Sequence, residues 1–126
     1  MKILVVDDDL VLLEAIAFNL RGEGHNVITA DSGTKALDII QKQEDVDLII
    51  SDIMMPNMSG LGLLALLKQF YLDKVPVILI STLDRREVIL SAMKMGAHDF
   101  IIKPINFDEL SIRVKKLAKK KLANLQ

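Results

Sequence analysis

Cysteine and tryptophan are both absent from this chain of 126 residues, and histidine occurs only as His25 and His98. Without cysteine there is no disulfide, no thiolate metal site and no thiol nucleophile. With so few imidazoles, the ligand set that favours zinc is also missing. Aromatic residues make up 4 %, so a core must be built from aliphatic side chains; at 51 % hydrophobic content there is enough material for one. No run approaches the roughly 20 apolar residues that a bilayer crossing needs. The opening MKILVVDDDL holds too short an apolar run for a secretory leader and turns acidic at once. The expectation is a cytoplasmic protein that does not engage a membrane. The length suits a single domain over 1–126, with its core in about 2–120.

Charge is unevenly spread. Residues 1–63 carry 11 acids and 4 bases, hence −7, and residues 64–126 carry 6 acids and 12 bases, hence +6. Asp7, Asp8 and Asp9 are consecutive, whereas the bases crowd KKLAKKK at 115–121. That basic stretch has no interleaved aromatics, so direct nucleic-acid binding is not expected; lysines there suit the negative pole of a helix.

Short apolar runs alternate with segments of helical spacing. KILVV (2–6), NVITA (26–30), VDLIIS (46–51), PVILIS (76–81) and DFII (99–102) read as strands. Helical spacing follows Asp9 with Leu10, Leu13, Ile16, Ala17 and Leu20, and stops near Gly22 and Gly24. Ser32 can cap a second helix through Ala36, Leu37 and Ile40. LGLLALLKQF (61–70) and DRREVILSAMKMG (84–96) supply a third and fourth, and Asn106 to about Leu122 the fifth. Continuous rather than alternating apolar strands are those buried on both faces. Five β–α units joined by right-handed crossovers give an α/β, doubly wound parallel sheet with helices on both sides.

Ligands of such sheets bind beyond the carboxyl ends of the strands. The five strands end on Asp7 and Asp8, near Asp31, on Asp52, on Ser81 and Thr82, and on Lys103-Pro104. Carboxylates from strands one and three that stand a few ångströms apart repel each other, and burial sharpens the repulsion. A hard cation with oxygen ligands, Mg²⁺ above all, relieves it. Asp52 ends an apolar strand and precedes a loop broken by Pro56, which sets a carboxylate nucleophile at the edge; such a group can hold a phosphoryl group. Transfer then needs alignment and charge neutralisation, which the metal and Lys103 supply, with Ser81 bonding a further oxygen. A cis Lys103-Pro104 bond would turn the ammonium back over the edge; the sequence leaves the isomer open.

Five stretches in this order, ILVVDDD (3–9), DLIISDIMMPNMSG (47–60), PVILIST (76–82), GAHDFIIKP (96–104) and DELSIRV (108–114), resemble the receiver domain of two-component response regulators over nearly the whole chain. The resemblance implies the CheY-like strand order 2-1-3-4-5 with five helices. It implies that Asp52 accepts a phosphoryl group from a sensor histidine kinase or a phosphotransfer protein. Asp8 and Asp52 would ligate Mg²⁺ directly, Asp7 through water and Met54 through its backbone carbonyl, with Mn²⁺ as a substitute. Lys103 and Ser81 would hold phosphoryl oxygens. Ser81 and Phe100 would act as the switch, altering the surface of the fourth helix, fifth strand and fifth helix. Met54 and Leu83 occupy positions that tune phosphoryl lifetime; both are apolar and neither can orient an attacking water, so slow self-dephosphorylation follows. Asp99 and Arg113 match part of a phosphorylation-dependent dimer face. The output would go to an effector domain or a separate target protein, and the domain would be a switch rather than an enzyme.

Two rival readings use the same residues. VVDDDLVLL fits the D-x-D-x-V opening of haloacid-dehalogenase-type phosphatases, with Asp7 as nucleophile and Asp9 as acid, but no later acidic pair completes that metal site and Asp52 would be idle. A nucleotide- or flavin-binding module lacks both G-x-G-x-x-G and G-x-x-x-x-G-K-[ST].

Overall fold

The apolar runs become five parallel strands: β1 Lys2–Val6, β2 Asn26–Ala30, β3 Leu48–Asp52, β4 Val77–Ser81 and β5 Asp99–Ile102. The structure is a computed structural model and describes residues 1–42, 45–71 and 75–124, without the side chains of Phe70 and Tyr71. The strands form one sheet in the order β2-β1-β3-β4-β5. Its register sets Val5 beside both Thr29 and Ile50, Ile50 beside Ile78, and Ile78 beside Asp99.

Five helices connect and flank the strands: α1 Leu10–Gly22, α2 Gly33–Lys42, α3 Gly60–Leu66, α4 Arg86–Lys94 and α5 Phe107–Asn124. Asp9 caps α1 by accepting from the amides of Val11 at 3.1 Å and Leu12 at 3.2 Å. Ser32 caps α2 through the amide of Lys35 at 3.1 Å. Asn106 does the same for α5 through Glu109. Gly96 closes the α4 turn at φ +102°, a conformation that glycine adopts without steric cost.

Side chains alternate across the sheet, so each strand feeds two cores. Leu4, Val6, Ile49 and Leu79 pack with Ala36, Leu63, Leu64 and Ala92 from α2, α3 and α4. On the opposite face, Ile3, Val5, Ile50, Ile78 and Ile80 pack with Leu13, Ile16 and Leu20 of α1 and with Leu110 and Val114 of α5. Each fully buried Leu or Ile contributes about 1.5–3 kcal/mol. Truncating Ile50, which touches neither solvent nor the site, to alanine would cost about 2–5 kcal/mol.

Four elements have boundaries that differ from the sequence reading. β3 begins at Leu48 rather than residue 46 and includes Asp52, because Asp47 is drawn off: its amide bonds the Lys2 carbonyl and its carboxylate takes the Lys2 amide. β4 starts at Val77, since Pro76 has no amide to donate and contributes only its carbonyl, to Ile49. α4 starts at Arg86 rather than at residue 84, with Arg85 in the cap position and no side chain capping it. The third helix ends early and passes into a π-helical turn over Leu67–Tyr71.

Parallel strands send all their carboxyl ends to one edge. That edge therefore carries Asp7, Asp31, Asp52, Ser81 and Lys103, each one step from its strand or on its last residue.

Candidate functional site at the carboxyl edge of the sheet

Asp7, Asp8 and Asp52 converge as expected: a carboxylate oxygen of each lies within 4.8 Å of the others. β1 and β3 are direct neighbours, with Val6 opposite Ser51, so the residues just beyond them meet. Asp7 has no solvent-accessible surface and Asp52 retains 5 %, whereas Asp8 is exposed. The pocket thus has a buried floor and one open wall.

Lys103 closes it from the other side. Its amide bonds the Ser81 carbonyl at 2.8 Å, fixing the chain as it leaves β5, and the Lys103-Pro104 peptide is cis. Its ammonium stands 3.1 Å from Asp7 Oδ2 and 3.3 Å from Asp52 Oδ2. Burial alone would lower the Lys103 pKa, but Asp7 and Asp52 outweigh it and hold the group above its ordinary value. For Asp52 the balance runs the other way. Burial and then the Asp7 charge raise its pKa, and Lys103 offsets this only in part. One ammonium does not satisfy the pocket.

The atoms bear this out. Asp7 Oδ1 accepts the Asp9 amide at 2.9 Å. Asp7 Oδ2 is buried and no hydrogen bond reaches it among the described residues. Lys103 neutralises that oxygen by proximity without an aligned bond, which leaves acceptor capacity facing the pocket. Three oxygen donors, one of them underused and two of them buried, form an acidic pocket suited to Mg²⁺, a cation that takes oxygen ligands and keeps several waters.

The remaining expected residues fall as follows. Ser81 is fully buried at the end of β4, and its Oγ accepts the Leu83 amide at 3.0 Å, so the hydroxyl proton remains free to donate. Met54 donates its amide to Asp52 Oδ1 at 3.3 Å and leaves its side chain 56 % exposed. Leu83 and Phe100 are half-buried against the α2–α4 core. Asp31 takes no part in the cluster and pairs instead with Lys35 at 2.8 Å. Asp99 and Arg113 meet within the chain, and Arg113 also holds Glu109 at 2.6 Å.

Two residues behind Asp52 were not singled out by sequence. The buried Ser51 hydroxyl donates to the Asp52 carbonyl at 3.0 Å. Gly60 bonds the Ile53 carbonyl at 2.8 Å, and a Cβ on it would lie 2.9 Å from the Asp52 carbonyl carbon. A glycine closing the loop after the acid was the available signal for the second; nothing in the sequence marks the first.

The phosphatase alternative loses its nucleophile. Asp7 has no accessible surface and is already engaged by the Asp9 amide and Lys103, whereas Asp52 keeps 5 %.

Comparison with known proteins completes the description. The model of the response regulator receiver domain matches residues 3–115. The probable transcriptional regulatory protein TcrX of Mycobacterium tuberculosis (strain ATCC 25618 / H37Rv) is 34 % identical over 118 residues, covering 94 % of this chain and 50 % of that protein. The transcriptional regulatory protein ZraR of Escherichia coli (strain K12) is 37 % identical over 114 residues, covering 90 % of this chain and 25 % of its own length. The chain therefore spans half or less of these relatives. Among solved structures, the receiver domain of Francisella response regulator 1452 superposes with a TM-score of 0.89 at 36 % identity, over 95 % of this chain and 98 % of that one. The Thermotoga maritima response regulator TrrA, solved in complex with Mg²⁺-BeF, superposes with a TM-score of 0.82 at 35 % identity, over 92 % and 97 % respectively.

Proposed function

Because the chain belongs to the response regulator receiver domain family, we propose that Asp52 is its phosphoacceptor, charged by the phosphohistidine of a sensor kinase or of a phosphotransfer protein. The observation that supports this most directly is the Lys103 ammonium, shared between Asp7 and Asp52 at the buried floor of an acidic pocket.

A carboxylate oxygen of Asp52 attacks the phosphorus while the P–N bond to the donor imidazole breaks. Asp52 is aligned by its backbone: the Ser51 hydroxyl holds its carbonyl, the Gly60 amide holds the Ile53 carbonyl one residue on, and the Met54 amide fixes Oδ1. Lys103 moves from pairing two carboxylates to pairing the transferred group, so charge that was unbalanced becomes shared. Ser81 has a hydroxyl proton to offer a phosphoryl oxygen. Mg²⁺ held directly by Asp8, Asp52 and the Met54 carbonyl and through water by Asp7, or Mn²⁺ in its place, would neutralise the phosphoryl oxygens during transfer.

Drawing Ser81 toward the phosphoryl group frees space next to the half-buried Phe100, and the inward turn of that ring changes the surface made by α4, β5 and α5. The phosphoryl group shifts this equilibrium only by its differential affinity for the two states; going from 1:99 to 99:1 takes about 5.5 kcal/mol. We take the domain, all of 1–126, as a cytoplasmic switch and not an enzyme, with an effector domain or separate target downstream. Met54 and Leu83 offer no group that orients water, which suits a long-lived phosphoryl state. In a phosphorylation-dependent dimer, Asp99 and Arg113 would exchange their internal pairing for one across the interface.

Incubation with acetyl phosphate and Mg²⁺, followed by intact-mass measurement, tests the assignment. The wild type should gain a single phosphoryl group and Asp52→Asn none. Equal labelling of the two proteins would remove Asp52 from the role.

A further inference from the structure

The sequence before α4 encodes a helix start that the structure leaves unused. Leu83-Asp84-Arg85-Arg86-Glu87-Val88 has the order of a capped N-terminus: an acid for the cap, a glutamate three residues on, and an apolar residue outside each of them. In such a start the Asp84 carboxylate accepts first-turn amides, Glu87 reaches back to the Asp84 amide, and Leu83 packs on Val88. The helix begins instead at Arg86. Arg85 stands in the cap position with ψ at 134°, and no side chain bonds the first turn. Asp84 and Glu87 are exposed, and among the described residues no hydrogen bond or ion pair reaches either carboxylate. The positive pole of the helix is left to two arginines, which it disfavours. What keeps Asp84 out of the cap lies just ahead of it. The Leu83 amide is bonded to Ser81 Oγ at 3.0 Å, which folds residues 81–83 into a tight turn. Leu83 and Val88 already pack on the same core, so the apolar pair is present and only the backbone between them takes another path.

We propose that α4 has two N-termini and that Ser81 selects between them. While the Ser81 hydroxyl accepts the Leu83 amide, the helix starts at Arg86; when Ser81 turns away, Asp84 caps a helix that starts at Arg85. Arg85 is the hinge. Helical ψ is about −42°, so recruiting Asp84 turns this torsion by about 175° and re-aims residues 82–84. If the loop moved while Ser81 stayed, a half-buried amide and a buried hydroxyl would both lose a partner, and that loss opposes the gain at the cap. Once Ser81 is drawn elsewhere the Leu83 amide has already lost its acceptor, and the cap then decides. Asp84 is thus a positioning residue that acts on α4 and touches nothing in the acidic pocket. Only the trigger rests on the reading of Ser81 as a contact of the phosphoryl group; the cap exchange itself needs nothing but the Ser81 bond to Leu83.

The test is NMR on the whole isotope-labelled chain, reading the Arg85 ¹³Cα shift and the solvent exchange of the Arg86 and Glu87 amides. It compares wild type, Ser81→Ala, Ser81→Ala with Asp84→Ala, and Ser81→Ala with Asp84→Asn. In wild type the Arg85 shift should be that of extended chain. Ser81→Ala should move it to the helical value and slow exchange of the Glu87 amide about fivefold, the effect expected of a cap. A structure merely loosened by Ser81→Ala would speed that exchange instead. Adding Asp84→Ala should reverse both changes, and Asp84→Asn, an equally good cap without the charge, should preserve them. Should Ser81→Ala melt early, Ser81→Cys keeps the volume with a weaker acceptor and should give the same pattern at smaller amplitude. An unmoved Arg85 in the Ser81 variant, or slowing that survives Asp84→Ala, overturns the proposal. Beryllium fluoride with Mg²⁺ then tests the trigger: wild type should take on the Ser81→Ala pattern and Asp84→Ala should not. Failure of beryllium fluoride to bind counts against phosphoacceptance and leaves the Ser81 series to decide the cap exchange; binding with Arg85 unmoved overturns the coupling.

Discussion

Replacing Lys103 by methionine isolates the charge that holds the pocket together. The lysine side chain is 15 % exposed, and methionine keeps its unbranched apolar stem while deleting the ammonium. At an effective dielectric of about 20, ion contacts of 3.1 and 3.3 Å are worth about 5 kcal/mol each. Three carboxylate pairs no farther apart than 4.8 Å repel by about 3.5 kcal/mol or more each on the same scale. Attraction and repulsion thus nearly cancel with Lys103 present, and only repulsion remains without it. Part of that relaxes through water and proton uptake; broken buried pairs cost about 3–5 kcal/mol in practice. For a domain of this size that is a fall in Tm of about 12–20 °C. Thermal unfolding in EDTA at pH 7.5 should show it. The deficit should shrink at pH 5, because Asp52, already raised by burial and by Asp7, rises further when its cation is lost. The folded variant then holds a proton that the unfolded chain releases, so its stability grows as the pH falls. A loss below about 1 kcal/mol, or one that is equal at both pH values, would refute the view that Lys103 balances the acids.

Other outcomes follow from the same geometry. With Mg²⁺ at ten times its Kd, the wild type should gain about 1.4 kcal/mol, near 5 °C in Tm, and Asp8→Asn, at an exposed position, should lose that gain while keeping its fold; an unchanged shift would exclude Asp8 as a ligand. In metal-free buffer, the raised pKa of Asp52 means that its contribution to stability falls as the pH rises from about 3.8 through its folded value, so Asp52→Asn should outlast wild type in denaturant at pH 7 and not at pH 3.5. Gly60→Ala should cost about 1–3 kcal/mol and slow acetyl phosphate labelling by driving a methyl group onto the Asp52 backbone, whereas Gly62→Ala, whose Cβ meets nothing nearer than Ser59 Oγ at 3.4 Å, should stabilise α3 by about 0.5–1 kcal/mol; urea melts of the two variants compare them.

Strand identities were legible because the sheet is buried on both faces, and that condition writes itself into runs such as VILIS. The edge was legible too, since parallel strands must all end on one side. Contacts set by distant parts of the chain were not. Nothing local to Asp47 says that Lys2 will claim it and delay β3. Nothing local to Lys103 says that it will divide itself between two acids, and its neighbours in the sequence are compatible with an ordinary solvated lysine. Arg113 was readable as a residue awaiting a partner molecule, yet it already has two partners at home, which depends on how α5 lies over β5.

Three aspartates in a row do three different things here, and they are wired in series. Asp7 lies at the floor of the pocket, its Oδ1 takes the amide of Asp9, and Asp9 in turn ties down the amides of Val11 and Leu12. Whatever steadies Asp7 therefore steadies the opening turn of α1, some distance along the backbone. Those two amide protons become a built-in gauge: their exchange with deuterated solvent should slow when the pocket fills, and a spectrometer tuned to them would follow the protein's state without any label at all.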